Sequence, residues 1–261
     1  MEISFVNSEL SSNIDEIIAF AKKNDIKYVE LKQIDNKDIY ELSTDEAFTV
    51  SNKLSSNGLL VSCLASQFLK WPANKTDFTF AGQQLSSETE YFTKLMDLAD
   101  IFGAPNIRIY SYINDENISI EDLGSKLDVY SQMALERGIT LLLENDGICN
   151  INNINKMHQL FELYNFSNIF PLLNLGTTIA CEDDFNPSEL QDIINTCQYF
   201  HITDYDAELK KFVVIGEGNV EYDNIIENKI NDRNCILSLE PHTGYPEDLQ
   251  TSLNILISLE D

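Results

Sequence analysis

Short apolar, β-branched runs alternate with longer stretches of helical periodicity along this chain. Residues 3–6 read as a first strand. Residues 13–23 follow with Ile14, Ile17, Ile18, Phe20 and Ala21 at the spacing of one helix face. The rhythm then repeats. Strands are predicted at 26–31, 59–64, 106–110, 139–144, 169–174, in a run ending at 201, and at 235–240. Helices are predicted at 44–56, 86–102, 119–137, 153–163, from Asn186-Pro187 onward, at 220–230 and at 247–259. Gly58 and Gly138 stop two of the helices, and Ser87 with Glu90 predicts a capping box at another. Residues 67–85, which hold the only tryptophan, Trp71, form no regular pattern and read as a long binding loop or lid.

Eight strand-then-helix units predict parallel strands joined by crossover helices. That is an α/β fold, read here as a single (β/α)8 TIM barrel with residues 1–261 as one domain. A doubly wound open sheet is the rival architecture. No GxGxxG follows the first strand, and GxxxxGK[ST] is absent from the chain.

The charge balance narrows the partners. Lys plus Arg total 17 against 43 Asp plus Glu, for a formal net charge of -26. Such a surface repels phosphate backbones and anionic membranes, so neither nucleic acid nor a membrane is an expected partner. No stretch approaches the roughly 18 apolar residues of a membrane span. Residues 1–6 lack the pattern of a secretory leader. Cys63, Cys149, Cys181, Cys197 and Cys235 are odd in number and scattered, and they read as buried small hydrophobes of a cytoplasmic protein.

In a (β/α)8 barrel the loops after the strands build the site. The polar residues that close the apolar runs are therefore the candidates: Glu30, Tyr110, Glu144, Asn174, His201 and Glu240. Two carboxylates, an imidazole and an amide oxygen suit a divalent ion such as Mn, Co, Mg or Zn. Such an ion polarises a carbonyl, and Glu144 and Glu240 are candidates to remove and return protons.

Several segments carry a family resemblance in order and spacing: Tyr28-Val29-Glu30-Leu31, Leu141 to Asn145, His201-Ile202-Thr203-Asp204, Gly216-Glu217-Gly218-Asn219-Val220 and Leu239-Glu240-Pro241-His242. Together they resemble the xylose isomerase-like barrels, the sugar phosphate isomerase/epimerase group. That group also holds tagatose 3-epimerase-like enzymes, inosose dehydratase and 3-dehydroshikimate dehydratase.

The resemblance implies a divalent ion held by Glu144, Asn174, His201 and Glu240, with Asn174 where the family has Asp. It implies catalytic roles for Glu144 and Glu240. Substrate contacts are expected from Glu30, Tyr110, Asn145, Thr177, Glu217, His242 and Trp71. Two further departures lie nearby. Thr177 stands where the family has His or Asn, and Thr203 replaces the basic residue of its HxKD motif.

The implied function is a metal-dependent isomerase or epimerase of a small polyhydroxylated keto compound, working by proton transfer next to a carbonyl. Two alternatives stay open: a dehydratase of an inosose- or dehydroshikimate-like substrate, and a non-catalytic binding barrel with a degraded metal site. The family's abasic-site endonuclease branch is disfavoured by the net charge and by the presence of only three histidines. The expected ligand is a small carbohydrate-like molecule, with a homodimer or tetramer as candidate assemblies. Scarce basic residues near the mouth argue against a phosphorylated sugar.

Overall fold

The structure is a computed structural model that describes residues 1–115, 118–181, 185–222, 225, 229, 232 and 234–259. Its centre is an eight-stranded parallel sheet. The strands are β1 (Glu2–Phe5), β2 (Tyr28–Leu31), β3 (Leu60–Leu64), β4 (Asn106–Ile109), β5 (Thr140–Glu144), β6 (Ile169–Asn174), β7 (Tyr199–Ile202) and β8 (Ile236–Leu239). Each pairs with its sequence neighbour, and β8 returns to β1. A parallel bridge from Val6 to Glu30 joins the chain after β1 to β2 and closes the ring. The fold is a TIM barrel, as the alternation of patterns predicts.

Helices clothe the outside: α1 (Ile14–Lys23), α2 (Thr44–Ser56), α3 (Glu88–Phe102), α4 (Ile120–Leu135), α5 (Ile154–Leu163), the short α6 (Leu175–Ala180), α7 (Pro187–Thr196) and α8 (Pro246–Ser258). Their starts follow local chemistry. Asn13, Ser43, Ser119, Asn153 and Asn186 each accept a backbone N–H of the first turn. The expected Ser87–Glu90 box is half formed. Ser87 Oγ accepts Glu90 N at 3.1 Å, but Glu90 turns back to Ser86, whose N–H and hydroxyl it accepts at 2.8 and 2.7 Å. The helix predicted at 220–230 falls largely outside the described residues.

Short elements that the sequence pattern did not predict lie in the loops after the strands. They are three antiparallel hairpins (Gln33–Ile34 with Lys37–Asp38, Phe78–Phe80 with Gln83–Leu85, Asp204–Asp206 with Lys211–Val213) and α6. The second hairpin turns residues 78–85, expected to be irregular, into regular structure through a turn at Ala81-Gly82, both with positive φ. Strands of two or three residues are too short to show a period. No helix among the described residues is long and apolar enough to cross a membrane. Cys63, Cys149, Cys197 and Cys235 are buried as expected, but Cys181, just after α6, is exposed.

Two packed regions set the height of the site. Most of the core lies between strands and helices. A smaller cluster of Cys63, Leu142, Leu172 and Tyr199 comes from β3, β5, β6 and β7. Side chains two apart along a strand share a face. The residues two positions beyond Leu142, Leu172 and Tyr199 are Glu144, Asn174 and His201. The same face therefore runs from an apolar layer into a polar one at the C-terminal mouth.

Candidate active site

His201 is the hub of that polar layer. Its Nδ1 lies 3.0 Å from Glu144 Oε1 and 2.9 Å from Glu240 Oε2. Its Nε2 lies 3.2 and 3.1 Å from the two oxygens of Glu30. Glu30 also accepts hydrogen bonds from Tyr199 OH at 2.8 Å and Ser238 Oγ at 2.9 Å. All three carboxylates and the imidazole are buried. Glu30 was expected to touch substrate. The structure instead places it behind the His201 ring with no exposed surface, because β2 delivers it to the inside of the barrel just below the rim. A carboxylate there holds Nε2–H and leaves the Nδ1 lone pair for a ligand, the usual outer partner of a metal-binding histidine.

The electrostatics explain how so much charge stays buried. Burial alone would lower the His201 pKa, but Glu30, Glu240 and Glu144 raise it well above 6.5. Burial would likewise raise Glu144, yet the Arg108 guanidinium and His201 hold it at about 2. Glu240 is pulled well below the usual carboxylate range by His201 and His242, against the same burial effect. Arg108 on β4 was not singled out in the sequence. It is buried, with Nη1 3.4 Å from Glu144 Oε2 and 3.7 Å from Glu240 Oε1. The remaining donors on Nη2 and Nε reach the Ala65 and Ser66 carbonyls at 3.3 and 3.4 Å. An arginine inside an apolar strand is the signal that could have found it, since such a group is rarely buried without acidic partners.

The residues present fit a divalent ion. One ligand atom each from Glu144, His201 and Glu240 falls within a 4.8 Å cluster. Among the described residues, Glu144 Oε2 and Glu240 Oε2 are two of the four buried side-chain oxygens outside the regular hydrogen-bond network; the first faces Arg108 Nη1 at 3.4 Å and the second lies 2.9 Å from His201 Nδ1. Nδ1 carries at most one hydrogen, so the two carboxylates beside it cannot both be served. Two buried carboxylates that compete for one hydrogen are costly, and a cation among these three groups removes that cost. Three protein ligands with an open position is the usual form of a catalytic centre.

Asn174 was expected as the fourth ligand, and here the geometry differs. Its Oδ1 already accepts Thr177 N at 2.9 Å and Thr203 Oγ1 at 2.6 Å, and its Nδ2 donates to Glu144 Oε1 at 3.3 Å. The backbone N–H of Thr177 can only donate, so it fixes which end of the amide is oxygen. The amide therefore caps α6 and turns its nitrogen, not its oxygen, toward the carboxylates. Thr203 also accepts Gly176 N at 3.0 Å, and a Cβ at Gly176 would collide with the Thr203 side chain. The three departures from the family pattern, at 174, 177 and 203, thus form one hydrogen-bonded unit.

Of the other candidates, Asn145, Tyr110 and His242 adjoin this cluster, and Thr177, Glu217 and Trp71 lie around it. Asn145 is buried beside the same unit, accepting Asn174 N at 2.9 Å and donating to Asn174 O and Thr178 Oγ1, each at 3.1 Å. Tyr110 is buried, its ring centroid 5.3 Å from the Arg108 guanidinium and 4.5 Å from Lys70 Nζ, and its hydroxyl donates a hydrogen bond to Glu144. Thr177 is half-buried on α6, and Glu217 is exposed. Glu217 sits on a loop whose N–H groups at Gly216, Gly218 and Val220 all donate to the buried Asp204. His242 is partly exposed at φ 58, with Nε2 3.4 Å from Glu240 Oε2 and Nδ1 3.6 Å from Glu9 Oε1. Trp71, expected as part of a lid, packs edge-on against Phe68 and Tyr91. Its indole N–H donates to Glu88 at 2.8 Å, and Glu88 also accepts from Tyr112 and Tyr130. That network pins the loop to α3 and α4.

The comparisons with known proteins bear on this geometry. A family model described as Xylose isomerase-like TIM barrel matches residues 18–259. The chain belongs to the xylose isomerase-like TIM barrel family. Among solved structures, the family member resembles the probable 3-DHS dehydratase AsbF of Bacillus anthracis, involved in petrobactin synthesis, at 17% identity and TM-score 0.76 over 98% of this chain and 99% of that one. It resembles the IolI protein with a bound zinc atom at 16% identity and TM-score 0.75 over 100% and 98%. It also resembles the D-allulose 3-epimerase of Methylomonas sp. at 14% identity and TM-score 0.73 over 99% and 98%. At these identities the likeness is one of fold. No curated protein matches by sequence.

Proposed function

We propose that this chain is a divalent-metal-dependent isomerase or epimerase acting on a small polyhydroxylated keto compound by proton transfer next to the carbonyl. The observation that carries the reading is the pair of buried carboxylates that share one imidazole nitrogen, Glu144 Oε1 at 3.0 Å and Glu240 Oε2 at 2.9 Å from His201 Nδ1. Glu144, His201 and Glu240 would hold the ion, which when bound supplies Lewis-acid polarisation of the substrate carbonyl.

The chain's own residues do the rest. Glu30 orients His201. Arg108 keeps Glu144 ionised, and ionisation is what a base needs before it can take a proton. One of Glu144 and Glu240 would accept the proton from carbon, and the other, after taking up a proton from solvent, would return it. Return to the opposite face gives an epimer, and return to the neighbouring carbon gives an isomer. Loss of a β-hydroxyl after the same first step would make the protein a dehydratase. The likeness to the probable 3-DHS dehydratase keeps that second reading in place. The buried thiols of Cys63, Cys149, Cys197 and Cys235 suit a reducing, cytoplasmic setting.

The test is solvent exchange. Protein loaded with Mn, Co, Mg or Zn is incubated in D2O with a panel of ketoses and keto acids, and deuterium beside the carbonyl is followed by NMR. Exchange is expected for at least one substrate, with loss in Glu144→Gln and Glu240→Gln. Failure to retain any of the four ions would overturn the metal-dependent mechanism.

A further inference from the structure

We propose that three buried hydroxyls, those of Ser4, Ser62 and Tyr199, form a one-way hydrogen-bonded series that positions Glu30 and, through it, the His201 imidazole. Tyr199 is the positioning residue of the centre, and the two serines act through it. This deepens the reading of His201 as a metal ligand and rests on that reading for the effect on a bound ion.

The interior of a (β/α)8 barrel is ordinarily filled by bulky branched apolar side chains. In this barrel β1, β3 and β8 carry the buried serines Ser4, Ser62 and Ser238. Ser4 Oγ lies 2.9 Å from Ser62 Oγ, and Ser62 Oγ lies 3.0 Å from Tyr199 OH. Tyr199 OH in turn lies 2.8 Å from Glu30 Oε2. β1 and β3 are not neighbours in the ring, nor are β3 and β7 or β7 and β2. Each of these side-chain bonds therefore crosses the inside of the barrel beneath the proposed metal ligands.

Hydrogen counting gives the series a direction. Each hydroxyl has one hydrogen to donate, and a carboxylate has none. Tyr199 donates its hydrogen to Glu30, so its oxygen accepts from Ser62. Ser62 has then donated its own, and its oxygen accepts from Ser4. All three O–H dipoles point toward Glu30, and each bond polarises the next. Ser238 Oγ donates to the same Glu30 oxygen at 2.9 Å. Packing fixes the Tyr199 ring, which lies in the apolar cluster with Cys63, Leu142 and Leu172. Two hydroxyls on one oxygen set the plane of Glu30, and both of its oxygens face His201 Nε2, at 3.2 and 3.1 Å. The imidazole is thus held from the edge opposite Nδ1, the nitrogen beside Glu144 and Glu240.

The experiment uses the full-length protein and two readouts. The first is Mn2+ affinity by competition with a chelator. Tyr199→Phe keeps the ring and removes only the hydroxyl, and about tenfold weaker binding is expected, the low end for the outer partners of a metal-binding histidine. Ser62→Ala leaves Tyr199 on Glu30 without its own donor, and about threefold weaker binding is expected. The double variant should bind as Tyr199→Phe does, because a series already cut is not cut again. Independent packing effects would instead multiply to about thirtyfold. The second readout needs no ion. It is the His201 Nε2–H resonance by proton NMR of the metal-free protein, on a chain with three histidines. That resonance is expected to shift in both single variants and no further in the double variant.

The proposal is overturned if folded Tyr199→Phe protein keeps the parent's His201 resonance, or if the two single effects multiply in the double variant. Ser62→Ala, the smaller change, decides the matter if Tyr199→Phe does not fold, and an unshifted His201 resonance there overturns the series. A protein that retains no Mn2+ would break the metal-dependent reading alone. The resonance of the metal-free protein would still decide the role of Tyr199.

Discussion

Two halves of one polar layer behave in opposite ways. On the side of α6, Asn174, Thr177, Thr203 and Asn145 satisfy one another, and every polar atom named there has a partner. On the other side, Glu144 and Glu240 crowd the one Nδ1 of His201, which has a single hydrogen for both. The first half has the character of a finished structural joint. The second has the character of a binding site, because only a ligand completes it. Crowded buried charge, more than family position, distinguishes the second half from the first.

The comparison breaks most completely at Glu240. Glu240→Gln removes a ligand, and metal affinity measured by competition with a chelator should fall more than about 100-fold. Glu30→Gln leaves the ligands in place but loosens the orientation of His201, and about 10- to 100-fold is expected from the same assay. Unchanged affinity in Glu30→Gln would mean the outer carboxylate only packs.

Asn174→Asp tests the boundary between the halves. Asp keeps an acceptor for Thr177 N and Thr203 but sets a second carboxylate against Glu144. Without metal the thermal unfolding should lose about 1–3 kcal/mol of stability. With metal the affinity should rise about tenfold, since the added charge favours the ion. A smaller effect is expected in Thr203→Val, about 1–3 kcal/mol of stability with metal affinity unchanged.

The pH dependence sharpens the same contrast. His201 holds its proton above 6.5 in the metal-free protein, so the proton competes with the ion. Affinity should rise with pH by about tenfold per unit until His201 is neutral, then level off. Glu144 acts in the other direction. Its pKa is held at about 2 instead of 4.5, so its contribution to stability is present above pH 4.5 and is lost as pH falls toward 2. A chelator-competition series across pH, beside acid denaturation of the metal-free protein, separates the two.

Much of the barrel was legible along the chain. The starts of β4 and β6 and the whole of α2 fall where the hydrophobic period puts them, because each depends on residues close in sequence. So did the strand-end positions of Glu144, His201 and Glu240, since a polar residue that closes an apolar strand is visible locally. Arg108 escaped notice because its meaning lies in two partners 36 and 132 positions away, on β5 and just past β8. Glu30 was placed at the right strand end but given the wrong surroundings, which come from Tyr199, His201 and Ser238 on β7 and β8.

The sequence by itself determined the alternation, and with it the TIM barrel and the strands that carry the polar residues. Side-chain period and helix capping act over a few residues, so a linear reading captures them. Only the tertiary structure decided which way each polar group faces. It turned the Asn174 nitrogen inward, set Glu30 behind His201 and put Arg108 against Glu144 and Glu240. Those outcomes depend on barrel closure, which brings distant strand ends within hydrogen-bonding reach and lets burial, charge and donor count choose among the orientations.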